Sequence, residues 1–174
     1  MVVTNSYTLP TEEELTVKEV ELSSPILMAG AFHLGKYCET VSNEFMLCKS
    51  ETGDPRSCIK EGKLVTSCAN QFFSQMKKFC RDEIEQYANC LQKSSGNLEY
   101  SKCRKTQGVY DKCVLDNLGI ERPEFGYFCR VKIHDSKRPK PAIEPPKLYP
   151  DATPGLPEEA SQPPAKYGHR FYMW

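Results

Sequence analysis

Apolar residues recur between positions 35 and 119 at the three- and four-residue spacing of an α-helix, and they form four separate stripes. In the first stripe, Cys38, Val41, Phe45 and Cys48 lie at i, i+3, i+7 and i+10 and therefore share one helix face. This pattern predicts four amphipathic helices with cysteines on their inner faces. The other three stripes comprise Cys58, Val65, Cys68 and Phe72; Phe73, Met76, Cys80, Ile84, Tyr87 and Cys90 or Leu91; and Cys103, Thr106, Tyr110, Cys113 and Val114.

Turn signals separate some of these helices but not all of them. Asp54 is a candidate N-cap ahead of Pro55 after a glycine, and residues 93–97 form a second turn from which Asn97 could cap the next helix. Residues 69–79 contain neither Gly nor Pro, so helix is expected to continue there. The sequence leaves open whether the second and third helices form one long helix or bend near Ser74. The fourth helix is expected to end at Gly119.

Eight of the nine cysteines fall in four pairs of identical spacing, each with nine residues between its members. On a helix, ten steps advance the chain by about 15 Å, whereas a disulfide needs Cα atoms about 4.4–6.8 Å apart. The two cysteines of a pair therefore cannot bond each other, but they can bond a neighbouring antiparallel helix with the same spacing. With the turns placed as above, this geometry selects nested bridges in two hairpins: Cys38–Cys68 with Cys48–Cys58, and Cys80–Cys113 with Cys90–Cys103.

Other uses of these cysteines fit the spacing less well. Zinc ribbons and thioredoxin-type redox sites both use Cys-x-x-Cys, which does not occur here. Cys129 lies outside the repeat, and no nucleophile–base arrangement is visible around it, so an unpaired, inert thiol is expected. The sequence has only three histidines, and His33 is interpreted as a packing residue because it lies alone in an apolar run. We therefore predict neither a catalytic nor a metal-binding residue.

The rest of the chain divides by composition into flanking segments around the hairpins. Residues 1–23 carry five glutamates against one lysine and lack the features of a transit or secretory leader. They predict an acidic arm that is either extended and held by contacts with another surface or disordered. Residues 24–35 predict a short apolar helix, beginning with Ser24 as N-cap, that is too short to span a membrane. The predicted hairpins then occupy residues 36–73 and 74–119.

Residues 120–174 predict a Pro-rich irregular tail. Nine of the 13 prolines lie between Pro139 and Pro164, and such a segment cannot build a core of its own. The tail ends in a cluster of the residue types that dominate protein interfaces, and we predict that this cluster binds a partner. The predicted anchor residues are Arg170, Phe171, Tyr172 and Trp174.

The net charge of the chain bears on polyanionic partners. The 23 basic residues equal the 23 acidic ones in number, which offers no electrostatic basis for binding nucleic acid or an anionic membrane. The helical stripes, the turns and the cysteine spacing together predict an all-α fold class: two disulfide-stapled antiparallel helical hairpins, an extended arm and a Pro-rich tail.

Cys-x9-Cys helical hairpins without a cleavable leader resemble the twin Cys-x9-Cys (CHCH) proteins of the mitochondrial intermembrane space. Four such units, an apolar PILMAGAFHLG segment and a tail ending in RFYMW are similar to those of complex I accessory subunits in this family. The resemblance implies a non-catalytic subunit on the intermembrane-space face of respiratory complex I, with no cofactor. Its implied partners are other complex I subunits and, transiently during import, a disulfide-relay oxidoreductase, with peripheral attachment to the inner membrane.

The sequence also leaves two other functions open. An assembly factor or metallochaperone of the same compartment would use the same hairpins, although the adjacent Cys-Cys pair of copper carriers is missing. A thiol oxidoreductase would need one accessible and easily reduced cysteine pair.

Overall fold

A computed structural model describes residues 9–94 and 96–142. Chain contacts divide the protein into the units Met1–Pro141 and Ala142–Trp174. The described residues of the first unit form helices joined by irregular segments and contain no strand. Disulfides link the helices, which confirms the predicted all-α fold with two disulfide-stapled hairpins. The helices are α1 (Glu12–Leu15), α2 (Ser24–Tyr37), α3 (Glu39–Thr52), α4 (Ile59–Phe79), α5 (Arg81–Ser94) and α6 (Arg104–Leu118), with 3₁₀ turns at Pro55–Cys58, Tyr100–Cys103 and Tyr127–Cys129.

Two helical hairpins form the centre of this unit. Helix α3 packs against α4, α5 packs against α6, and α2 lies mainly on α5. The buried hydrophobic cluster occupies the second hairpin together with the parts of α2 and α4 that touch it. Its members are Ala29, Phe72, Phe73, Met76, Cys80, Ile84, Tyr87, Ala88, Leu91, Cys103, Tyr110 and Val114.

Several helix ends lie where the sequence predicts them. Gly53 and Gly119 follow α3 and α6 in the left-handed conformation, with φ of 66° at each, which a glycine adopts without steric cost. The Asp54 side chain accepts a hydrogen bond from the Arg56 backbone N–H and so caps the 3₁₀ turn that leads into α4. Asn97, in contrast, does not cap, because it lies in the turn and Glu99 occupies the N-cap position. Ser24 is likewise already helical, and Ser23 precedes α2.

The chain breaks between the second and third helices at Cys80. Helix α4 continues through the predicted boundary at residues 73 and 74 to Phe79, so Phe73 and Met76 belong to α4 rather than to the third helix. Cys80 has φ −133° and ψ 40°, outside the helical region, and this single residue redirects the chain into α5. The long helix and the bend near Ser74 that the sequence left open are therefore both replaced by a break six residues later.

Within residues 9–23, the N-terminal arm contains one helical turn and is otherwise irregular. Thr11 and Glu14 form a reciprocal capping box at the start of α1, in which each side chain accepts a hydrogen bond from the other residue's backbone N–H. Farther along, the Asn70 side-chain amide donates a 2.7 Å hydrogen bond to the Lys18 carbonyl oxygen. This bond fixes the arm against α4.

Candidate functional site

Four disulfides hold the two hairpins, each with Cα atoms about 6 Å apart. In the first hairpin Cys38 is bonded to Cys68, with Cα atoms 6.0 Å apart, and Cys48 is bonded to Cys58 at the same separation. In the second hairpin the pairs are Cys80–Cys113, at 6.0 Å, and Cys90–Cys103, at 5.9 Å. These are the four pairs that the hairpin geometry selects from the sequence. Each hairpin therefore has one bridge near its turn and one near its open end.

The first cysteine of every Cys-x9-Cys unit occupies the same structural position. Cys38, Cys58, Cys80 and Cys103 each stand at the N-cap of the helix that follows, namely α3, α4, α5 and α6. Their φ angles run from −97° to −133° and their ψ angles from 18° to 40°, so all four lie outside the α-helical region. All four are also buried. Each unit of the sequence repeat therefore begins a helix, with a buried cysteine sulfur at the N-cap position.

Helix α2 closely approaches aromatic rings of α4 and of the 3₁₀ turn Tyr127–Cys129, because it carries glycine at both contact points. A Cβ atom at Gly30 would lie 2.9 Å from the Phe73 ring, and one at Gly35 would lie 2.8 Å from the Phe128 ring. Real Cβ atoms do not approach aromatic rings so closely, so each position must be a glycine unless the ring moves. Sequence reasoning missed these residues, although the small-residue run from Ala29 to Ala31 was a signal for close helix packing.

His33 lies at the centre of the contact between α2 and the second hairpin. Its side chain is fully buried, and its ring meets the Tyr110 ring edge to face at a centroid distance of 5.1 Å. Its Nε2 atom is 3.5 Å from an Asp111 carboxylate oxygen, but neither ring nitrogen makes a hydrogen bond with a described residue. Burial lowers the pKa of His33 from 6.5 to about 4, partly opposed by the nearby Asp111 carboxylate. His33 is therefore a neutral packing residue at neutral pH.

Arg122 balances the charge of Asp111 beside this histidine. Its guanidinium donates a 3.2 Å hydrogen bond to the carboxylate and lies over the Phe32 ring, 4.4 Å from the centroid. Asp111 also accepts a hydrogen bond from the Gln107 side-chain amide. The contact between α2 and α6 thus contains a paired charge next to an apolar core, with the chain after α6 supplying the cation.

The chain after α6 returns to the first hairpin as an extended segment, residues 131–138, which we call the strap. Lys132 pairs with Glu39, and Arg138 reaches both Glu44 and Glu51, so the strap runs along α3 in the same direction as the helix. His134 and Ser136 contact Glu44 at 2.7 and 2.6 Å respectively.

Just ahead of the strap, the Tyr127 hydroxyl donates a 2.8 Å hydrogen bond to the Glu39 carboxylate. The bonds that Glu39 accepts, above all from Lys132, lower its pKa from 4.5 to about 2. Hydrogen bonds from Ser136 and from His134 lower the pKa of Glu44 as well. The strap is therefore attached to α3 through ionised glutamates. Sequence reasoning assigned these residues to an irregular tail and missed the attachment.

Cys129 and the four predicted anchor residues complete the set of predicted site residues. Cys129 is a free, exposed thiol in the 3₁₀ turn ahead of the strap, and its chemical inertness stays a prediction. The predicted anchor residues Arg170, Phe171, Tyr172 and Trp174 lie outside the described residues.

Two features of the described residues bear on metal binding and on membrane insertion. Within residues 9–94 and 96–142, the atoms of Cys80, Glu83 and Cys113 form a group close enough to hold a metal ion, but the two sulfur atoms are bonded to each other. In the same ranges, no helix combines the length and the apolar character that crossing a bilayer requires.

Comparison with known proteins finds clear relatives, although no family model matches the chain. The chain is 34% identical over 108 residues to the "NADH-ubiquinone oxidoreductase 20.8 kDa subunit" of Neurospora crassa, a match that covers 61% of this chain and 58% of that protein. The match thus spans less than two thirds of the fungal relative's length.

Two plant relatives are matched over most of their length. The "NADH dehydrogenase [ubiquinone] 1 alpha subcomplex subunit 8-B" of Arabidopsis thaliana is 30% identical over 94 residues, which cover 53% of this chain and 87% of that protein. Subunit 8-A of the same plant is also 30% identical over 94 residues, covering 85% of its length.

Proposed function

The chain belongs to the family of NADH dehydrogenase [ubiquinone] 1 alpha subcomplex subunit 8, and from this premise we propose that it is a non-catalytic accessory subunit of mitochondrial respiratory complex I. It lies on the intermembrane-space face and stabilises or assembles the complex as a rigid helical clamp. The single observation that carries the proposal is the match over 87% of a relative that is named as a subunit of this enzyme.

The disulfides supply the rigidity that a clamp needs. Their sequence separations are 30 and 10 in the first hairpin and 33 and 13 in the second. Loops of these lengths correspond to about 3–4 kcal/mol of stabilisation per bridge in isolation, and nested bridges contribute less than their sum. A hairpin closed at both ends cannot splay, so the surfaces that it presents to neighbouring subunits keep their spacing.

The same bridges support the proposed compartment. Structural disulfides persist in oxidising compartments, and proteins of this cysteine spacing acquire theirs in the intermembrane space from a relay oxidoreductase that the chain would meet during import. Four bridges per chain make that encounter a condition for folding. Peripheral attachment to the inner membrane then comes from contacts with other complex I subunits, including contacts of the predicted anchor residues Arg170, Phe171, Tyr172 and Trp174.

The alternatives predict different behaviour of the same hairpins. A metallochaperone needs free ligands, yet the sulfur atoms of Cys80 and Cys113 are bonded to each other. An assembly factor would leave before the complex is complete, whereas a subunit stays in it. Residence in the finished complex therefore decides between the two functions.

The test is native electrophoresis of mitochondria followed by quantitative mass spectrometry. We expect the chain to migrate with fully assembled complex I, in a one-to-one ratio with its core subunits, and deletion to lower the amount of assembled complex. Migration with intermediates alone would overturn the proposal in favour of an assembly factor. A matched pair of complementing variants, Cys38→Ala with Cys68→Ala against Cys129→Ala, shows whether the clamp or the free thiol matters.

A second measurement addresses the compartment. Alkylation of intact mitochondria with a thiol reagent, followed by peptide mapping, should find one free thiol per chain, at Cys129. Protease treatment should degrade the chain once the outer membrane is opened and spare it before. Nine free thiols, or protection after the outer membrane is opened, would contradict placement in the intermembrane space.

A further inference from the structure

The strap presents two chemically different faces because its side chains alternate. Lys132, His134 and Arg138 face α3, and their side chains are 34%, 20% and 22% exposed. Val131 and Ile133, in contrast, are 99% and 94% exposed. Alternation with a period of two is the geometry of a β-strand. The strap thus alternates as a β-strand does, with a polar face on the helix and an apolar β-branched face in solvent, although it is not paired in a sheet.

The outward face has no use in the described fold. Val131 and Ile133 are more exposed than the exposed apolar residues of the hairpins, such as Leu64 at 58% and Val109 at 56%. Beyond them, Asp135 and Lys137 are exposed on the same side, and neither forms an ion pair within the described ranges. The apolar pair gives a partner segment contact area, and the two opposite charges that follow it fix the register in which that segment lies beside the strap.

The backbone of the strap is available as well. Among the described residues, no backbone-to-backbone hydrogen bond involves residues 131–138, and the Arg138 N–H donates instead to the Ser136 hydroxyl. Arg130, at the entry, has φ −76° and ψ 137°, which is extended backbone. A strand whose side chains are fixed on one face and whose backbone groups are unpaired is a template for strand addition.

We propose that the strap is a docking edge for an extended segment of a neighbouring subunit, which adds beside residues 131–137 as a strand and packs apolar side chains on Val131 and Ile133. The inference rests on the proposed function, because it takes the neighbour from the same complex. The glutamates of α3 hold the edge in place before the partner arrives, so little ordering of the strap itself is required on binding.

The charges of the strap favour a protein segment over a lipid surface. Lys132 and Arg138 would be the natural contacts for anionic headgroups, but both point to α3 and are neutralised there by Glu39, Glu44 and Glu51. Arg130 is paired with Glu124 in the same way. What remains outward is an apolar pair beside one acid and one base, which matches another polypeptide better than an anionic membrane.

The test uses the full chain assembled in its complex within mitochondria. A benzophenone amino acid replaces Val131 or Ile133 in two separate variants, and Leu64, an outward residue of the first hairpin, in a control variant. After irradiation, the complex is isolated by native electrophoresis and the cross-linked peptides are sequenced. We expect the labels at 131 and 133 to react with one short segment of one neighbouring subunit, at sites about two residues apart, and the label at 64 not to reach that segment.

Hydrogen exchange gives a second readout that does not depend on the label. Pairing with a strand should slow exchange of the amides in residues 131–137 by about tenfold or more in the complex relative to the isolated chain. Exchange that is equally fast in both would overturn the strand pairing.

The possible failures are distinguishable. Cross-links only to phospholipid, only within this chain, or to scattered segments, obtained while the labelled chain migrates with the complex, would overturn the docking edge and leave the proposed function intact. A labelled chain that never migrates with the complex, when the unlabelled chain also does not, would overturn both.

Discussion

The two hairpins share one cysteine pattern but are stabilised by different interactions. The second hairpin contains most of the buried cluster, and Tyr87 and Tyr110 stack within it at a centroid distance of 5.9 Å. In the first hairpin, Cys48 is the one residue of α3 that is buried. Phe45, the largest apolar residue on the inner face of α3, is half-buried against Gly62 of α4. The same cysteine repeat therefore occurs in one hairpin that has a hydrophobic core and in another that has almost none.

Other interactions replace the missing core of the first hairpin. The outer side of α3 carries Glu39, Glu44 and Glu51, and each of them pairs with a cation of the strap. Partly exposed ion pairs contribute little to stability on their own, so the disulfides must carry most of the support. In the second hairpin the same bridges are added to packing that already favours the fold. Disulfides of the same spacing therefore contribute unequally to the stability of the two hairpins, because the packing between the helices differs.

The largest effect we expect comes from removing both bridges of one hairpin. Substitution of Cys38, Cys48, Cys58 and Cys68 by alanine should unfold α3 and cost more than about 4 kcal/mol locally, because little packing remains to oppose the recovered chain entropy. Hydrogen exchange should show the amides of α3 at the rate of an unfolded chain.

The matched variant substitutes the four cysteines of the second hairpin, whose bridges close loops of nearly equal length. It should lower the melting temperature while α5 and α6 keep measurable protection, because the aromatic cluster persists. Equal loss of protection in both hairpins would contradict the proposed division between stapled and packed regions.

The next effect is the removal of one aromatic ring from each hairpin. Tyr110 is fully buried and contacts His33, Tyr87 and Met76, so Tyr110→Ala should destabilise the protein by about 3–5 kcal/mol. Phe45→Ala should cost about 1–2 kcal/mol, since that ring is only half-buried. Urea unfolding of both variants measures the difference. Similar values would mean that the first hairpin has more packing than its burial indicates.

A smaller effect, at the contact between α2 and the second hairpin, is the response of the protein to acid. The unfolded histidine titrates near 6.5, and burial lowers the pKa of His33 to about 4 in the fold. Because the folded pKa is the lower one, the stabilisation is complete above pH 6.5 and is lost as the pH falls towards 4, by about 3 kcal/mol in total. Asp111, Arg122 and Tyr110 are the titratable groups that face the ring.

The readout is the slope of unfolding free energy against pH between 6.5 and about 5, the upper part of this window. His33→Met should flatten it, because methionine fills the site without titrating. Val109→Ala, a change at an exposed residue of α6 that does not titrate, is the control and should keep the slope. A slope that survives His33→Met would assign the proton uptake to another group.

Most of the second hairpin and all four bridges follow from local rules. Cysteine spacing and turn signals such as Asp54 and Gly53 select the pairing, because helix geometry allows few alternatives. The break at Cys80 was also present in the sequence as a regularity, since Cys80 begins a repeat unit as Cys38, Cys58 and Cys103 do, and each of these stands at a helix start. Neither Gly nor Pro marks this break, so the usual turn signals do not reveal it.

The attachment of the strap could not be predicted in the same way. It depends on ion pairs between residues about 90 positions apart, such as Lys132 with Glu39 and His134 with Glu44. No periodicity in one segment reveals which distant helix its charges will meet. The charged neighbours of His33 could not be predicted for the same reason, because Asp111 and Arg122 reach it only once α2 has packed on α6.

The smallest effect concerns the strap and tests whether it supports the first hairpin or merely lies on it. Glu44 accepts hydrogen bonds from Ser136 and from Arg138, and it contacts His134, so Glu44→Gln removes the charge at the centre of the attachment. Surface ion pairs contribute little to global stability, so the melting temperature should change by less than about 2 °C. Cleavage by trypsin after Lys132 and Lys137 should nevertheless become faster, because cleavage requires only that the strap open locally. The control is Glu121→Gln, at an exposed glutamate away from the strap, which should change neither quantity. Faster cleavage together with a large fall in melting temperature would show instead that the strap is a structural part of the first hairpin, and the contrast between the two hairpins would then rest on fewer differences.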